Sequence, residues 1–144
     1  MPTWLLYASL SAACAALIPI FGKLGMSEVN STLATGIRSV FMTAALAAVV
    51  LFTKTYAKTE GLSAKSLSMI CLAGLAGAAS WLFYFRAIQI ADVSKVAPID
   101  KLSMPLGILL AVLLLGERPT WINWVGILLI AAGAYLAAWT TKAA

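Results

Sequence analysis

The sequence predicts an all-α integral membrane protein of five transmembrane helices, and three observations predict it. Of the 144 residues, 62% are hydrophobic and only 10% are charged, against about 45–50% and about 25% in soluble domains. Ten Lys or Arg and five Asp or Glu cannot build a water-soluble surface, and a chain of this size has too little interior to hide the remaining apolar side chains. The apolar residues also fall into five runs, each long enough to cross a hydrocarbon core of about 30 Å as a helix of about 20 residues. These properties exclude a disordered chain, a disulfide-stapled secreted fold and a cytosolic enzyme.

The first run covers residues 3–21 and opens on Trp4 and Tyr7, aromatic residues suited to the membrane interface. Met1-Pro2-Thr3 carries no basic side chain and the run is long for a signal peptide, so it is expected to be a retained helix. The second run covers 32–52 and the third 67–90. The fourth covers 96–115 and meets a helix stop at Gly116. The fifth, 121–139, follows Thr120 as N-cap and is framed by Trp121, Trp124 and Trp139. Residues 22–31, 53–66, 91–95 and 116–120 supply polar breaks. Five spans leave too little sequence for a soluble domain, so residues 1–144 read as a single membrane domain. Pro19, Pro98 and Pro105 interrupt the helical patterns, which membranes tolerate where neighbouring helices or a cavity satisfy the freed backbone.

The net charge of +5 does not point to nucleic acid, because the basic residues are scattered singly and are not interleaved with aromatics. They read instead as topology determinants and headgroup contacts at the lipid bilayer. Cys14 and Cys71 lie in apolar runs as small buried hydrophobes. With no His and two separated Cys, neither a metal site nor a cofactor is expected. There is no Gly-x-Ser-Gly element for intramembrane proteolysis and no phosphate loop, so the chain is not expected to be an enzyme.

Five spans put the termini on opposite sides. Lys54, Lys58, Lys65 and Arg118 lie on one side, and Lys23, Lys95 and Lys142 on the other. Counting Arg38, Arg86 and Lys101 with the second group turns four against three into four against six. The balance fixes no orientation under the positive-inside rule, and such a chain is able to insert both ways round.

Ionisable groups within spans are costly, so each is a candidate functional group. Arg38 lies six residues into the second span, about 9 Å along the helix, with Thr35, Ser39 and Met42 on its face. Arg86 lies near the end of the third, where Trp81, Phe85 and Gln89 form a row at four-residue spacing. Asp100 and Lys101 open the fourth, with Ser103 and Gly107 on the Asp100 stripe. A bland alternative starts the fourth helix at Pro98, making Asp100 an ordinary N-terminal carboxylate, with Lys101 and Arg86 snorkelling to water. The embedded excess of positive charge favours an anionic or zwitterionic substrate. On the fifth helix Gly126 and Gly133 stand seven apart, a spacing that lets helix backbones approach closely, within one chain or between subunits.

The residues Tyr84-Phe85-Arg86-Ala87, Lys95-Val96-Ala97-Pro98-Ile99-Asp100-Lys101-Leu102-Ser103, Leu115-Gly116-Glu117-Arg118 and Trp124-Val125-Gly126, continuing to Gly133, resemble the EamA family of the drug/metabolite transporter superfamily. The resemblance covers essentially the whole chain and is strongest from Trp81 to Trp139. Many relatives carry two such repeats and ten helices, so it implies that this chain is one half of a ten-helix inverted-repeat transporter. The last two helices are also similar to the final pair of small multidrug resistance transporters, whose glycine helix forms the dimer interface; this implies an interface at Gly126 and Gly133. Those transporters use a glutamate in their first helix, and the first span here has no acidic residue, so proton-for-cation exchange is not carried over.

The expectation is therefore a multi-pass protein of the cell (inner) membrane. It would export a small metabolite or drug by alternating access as an antiparallel homodimer with dual topology. Arg38, Trp81, Tyr84, Arg86, Asp100, Lys101 and Ser103 would line the substrate pathway. The rivals are a non-transporting accessory or scaffold subunit, and half of a heterodimeric transporter with a paralogous chain.

Overall fold

The structure, a computed structural model, describes residues 2–58 and 61–140; Lys142 of the charge count lies outside them. All regular structure among the described residues is helical, and five helical stretches are long and apolar enough to cross a membrane. The fold divides between Gln89 and Ile90 into two compact units.

The first unit contains α1 (Thr3–Gly25), α2 (Ser31–Thr53), a 3-10 turn (Thr55–Lys58) and α3 (Ala64–Ile90). Helix α1 continues past Phe21, where the apolar run ends, to Gly25. The reason is local packing. A Cβ built on Gly22 would stand 2.5 Å from Phe85 Cε1 of α3, so a residue that reads as a break is a point where α1 packs tightly on the Phe85 ring. The next residue, Lys23, donates from Nζ to the Ile88 carbonyl in the last turn of α3, where a cation complements the helix dipole.

Helix α2 starts on an Asn30 cap, whose side chain accepts from Thr32 N–H at 2.8 Å. It ends at Lys54, a left-handed residue with φ of 51°. Gln89, near the end of α3, binds the entry of α2: Nε2 donates to the Val29 carbonyl at 3.2 Å, and Oε1 accepts from Ser31 N–H at 3.4 Å. Ser31, Thr35, Phe85, Ile88 and Met26 are the buried residues of this unit. Its tightest packing therefore lies at the end where α1 finishes, α2 begins and α3 finishes.

The second unit contains α4 (Val93–Asp100), α5 (Ser103–Leu110), a π-helical turn (Ala111–Leu115) and α6 (Trp121–Thr140). Val93–Leu115 is one membrane length, but it is broken after Asp100. Proline explains the break. Pro105 has no N–H for the Lys101 carbonyl, and its ring crowds that carbonyl from the following turn. The carbonyl instead accepts from Met104 N–H at 3.0 Å, and Lys101 and Leu102 likewise bond three residues back.

The fourth span starts three residues earlier than its apolar run, because Asp92 provides the helix entry: its carbonyl accepts from Val96 N–H at 3.1 Å. Asp100 is thus the last residue of α4, about 10 Å into the span at the helical rise. The alternative that made it an N-terminal carboxylate of a helix starting at Pro98 is incorrect.

Gly116 stops the span in the left-handed conformation, with φ of 71°. Thr120 caps α6, its hydroxyl accepting from Asn123 N–H at 3.4 Å. Helices α4 and α5 pack on α6, which buries Ile127 and Ala134. Large apolar side chains elsewhere face outward; Phe52 is 88% exposed and Trp139 76%. Such a surface suits hydrocarbon, which is as apolar as the side chains themselves.

Candidate functional site

The first unit places a cation on an aromatic bed. Arg38 projects from α2 so that its Cζ stands 3.7 Å from the Trp81 ring centroid and 5.7 Å from that of Phe85. Both distances fall within cation–π range. The bed is itself packed. Trp81 and Tyr84 meet edge to face at 5.7 Å, and Trp81 lies 5.6 Å from Phe85. The four-residue spacing of Trp81 and Phe85 puts both rings on one side of α3, where they meet the guanidinium.

A cavity of about 430 Å³ opens beside this group. Arg38, Ala34 and Ile37 line it from α2, and Phe85 from α3. The remaining wall comes from α1: Cys14, Leu17, Ile18, Phe21 and Gly22. Arg38 is the one charged residue of the lining. Its Nη1 is buried and has no hydrogen-bond partner among the described residues. The neighbouring hydroxyls are turned to their own helix: Thr35 Oγ1 donates to the Ser31 carbonyl and Ser39 Oγ to the Thr35 carbonyl, each at 2.8 Å.

The other predicted residues have different surroundings. Arg86 is exposed and donates from Nη1 to Gln89 Oε1 at 3.2 Å, so it joins the polar fastening of α2 and α3. Asp100 and Lys101 form an ion pair at 3.4 Å beside the helix break, and Ser103 is the first residue of α5. On α6, a Cβ at Gly126 or Gly133 would meet nothing of the second unit within 4 Å. A larger cavity, about 500 Å³, lies at the residue 116–120 turn with Glu117, Arg118 and Asn123 in its wall. It belongs to the interfacial end of the span.

Sequence reasoning missed the α1 wall, Gly22 and the bridging role of Gln89. Residues 14, 17, 18, 21 and 22 do carry the spacing of one helix face. That face is hidden because α1 is apolar all round.

The folded chain is thus a multi-pass, all-helical membrane protein with a charged group in a span and a cavity beside it. The pattern of the EamA-like transporter family matches residues 2–139. A Sinorhizobium protein described as "Uncharacterized transporter in cobO 3'region" is 43% identical over 136 residues, covering 94% of this chain and 96% of that protein. No solved structure matches the chain. The chain belongs to the EamA-like transporter family, and it is a membrane transporter. Its surroundings are the lipid bilayer and its cargo a small molecule.

Proposed function

We propose that the protein exports a small metabolite or drug across the cell (inner) membrane by alternating access, as an antiparallel homodimer of five-helix subunits. The observation that carries this reading is Arg38, a guanidinium held within a span beside a cavity. On insertion scales an Arg at a helix centre costs about 2.5–3.5 kcal/mol, a penalty that a passive bundle has no reason to retain. The residues proposed to serve the pathway are Arg38, Trp81, Tyr84 and Arg86 in the first unit, and Asp100, Lys101 and Ser103 in the second. The broken fourth span supports the same reading, because transporters place substrate and ion sites at discontinuous helices.

The homodimer is supported by two features. The balanced basic residues favour neither orientation, and a pathway between inverted repeats requires a second repeat. Helix α6 packs within its own unit through Ile127 and Ala134, which leaves the adjacent row of Gly126 and Gly133 open for a subunit contact.

The test is transport of a panel of labelled metabolites and drugs by everted membrane vesicles. Arg38→Ala and Asp100→Ala should each abolish transport at unchanged membrane levels. Normal transport by both variants would remove the site assignment, and transport of nothing by the parent protein would favour an accessory or scaffold role.

A further inference from the structure

Within the first unit the cationic groups are unequally matched. Lys23 is engaged by a backbone carbonyl and Arg86 by Gln89. Arg38 rests on aromatic faces, which offer no hydrogen-bond acceptor in the plane of the guanidinium, and its buried Nη1 has no partner among the described residues. Helices α1, α2 and α3 contain no Asp or Glu. Asp100, the carboxylate of the fourth span, is already paired with the adjacent Lys101.

We infer that the Arg38 cavity binds a small monoanion with an apolar body, its charged group on the guanidinium edge and its body against the α1 wall. Stacking on Trp81 holds the guanidinium plane and leaves its edge to fork a carboxylate or phosphate oxygen pair. The opposite wall, made of Cys14, Leu17, Ile18, Phe21 and Gly22, offers hydroxyl groups no partner stronger than a thiol. The hydroxyls of Thr35 and Ser39 spend their protons on their own helix. One guanidinium matches one negative charge, so dianions and polyhydroxylated solutes such as nucleotide sugars are poor fits. A volume of about 430 Å³ is within the usual range for small-molecule sites. The inference rests on the transporter reading only in treating this cavity as substrate-facing.

The test measures binding without transport. The purified full chain in phosphatidylcholine nanodiscs is dialysed against three probes with one skeleton: 3-phenylpropionate, 3-phenylpropylammonium and 3-phenylpropanol. The carboxylate should bind most tightly. Arg38→Gln should weaken it by about tenfold or more, as expected for loss of a charge-assisted hydrogen bond, with Arg38→Lys between the two. Equal binding of all three probes by the unaltered protein would overturn the inference, and this comparison needs no variant to fold.

Cys14 lines the same cavity and locates the probe. In a Cys71→Ser background, 3-phenylpropionate should slow alkylation of Cys14; binding that leaves the rate unchanged would place the probe elsewhere and overturn the assignment. A lipid headgroup is the other source of such an anion. Binding that persists when phosphatidylglycerol is added supports a free carboxylate, and displacement by that lipid overturns the free-solute form in favour of the headgroup. A protein that binds the anion but carries none of the transport panel would refute the transport reading and leave the anion site standing. One that transports the panel but ignores charge would do the reverse.

Discussion

Gly22 of α1 and Phe85 of α3 meet so closely that a Cβ on the glycine would stand 2.5 Å from the ring edge. The same Phe85 lines the cavity and lies 5.7 Å from the Arg38 guanidinium carbon, measured to its ring centroid. The glycine therefore sets how near α1 comes to the aromatic bed, and through it the width of the candidate site.

Replacing Gly22 tests this contact. Gly22→Ala should destabilise the protein by about 1–3 kcal/mol, the usual range for overpacking. Adding Phe85→Leu should recover part of the loss. Thermal unfolding in detergent of the two single variants and the pair gives the coupling; additive effects would contradict the close approach.

Gln89 serves three partners at once: the Val29 carbonyl, Ser31 N–H and Arg86. Gln89→Leu keeps the bulk and removes all three, leaving part-buried backbone groups unmet. A loss of about 1–3 kcal/mol is expected, read as a lower melting temperature. Arg86→Ala should cost less, because the arginine is exposed and its removal leaves the two backbone bonds in place.

Trp81 holds the guanidinium by its face. Trp81→Phe should retain most of the stabilisation, and Trp81→Ala should lose about 0.5–2 kcal/mol of cation–π energy in addition to its packing. A double-mutant cycle with Arg38→Gln isolates the first part. A coupling energy near zero would mean that the stacking contributes nothing.

Pro105 is the cause assigned to the break in the fourth span. Pro105→Ala restores an N–H that can reach the Lys101 carbonyl, so amide exchange at residues 101–106 should slow. If the break serves transport, turnover should fall while membrane levels stay constant. Unchanged exchange would show that the break does not depend on the proline.

The five spans were legible because length and apolarity decide what crosses a bilayer. The stop at Gly116 and the start at Thr120 were legible because few residue types suit a left-handed helix end or an N-cap. The end of α1 was not: Gly22 and Lys23 look like a loop until Phe85 and the Ile88 carbonyl are in place beside them. Arg38 and Trp81 stood out singly as a charge and an aromatic within spans, but nothing in their positions on two separate helices announced the stack. The α1 wall was unreadable for a different reason. In a helix apolar on every side, hydropathy no longer marks which face is turned inward.

The central claim, an inverted pair of identical subunits, is tested most directly by topology. Two populations of the chain carry C-terminal reporters, one active only in the cytoplasm and one only outside it. The account predicts signal from both, because the proposed self-inverted homodimer requires subunits in both orientations. Signal from one alone would contradict the self-inverted homodimer and require a different chain as partner.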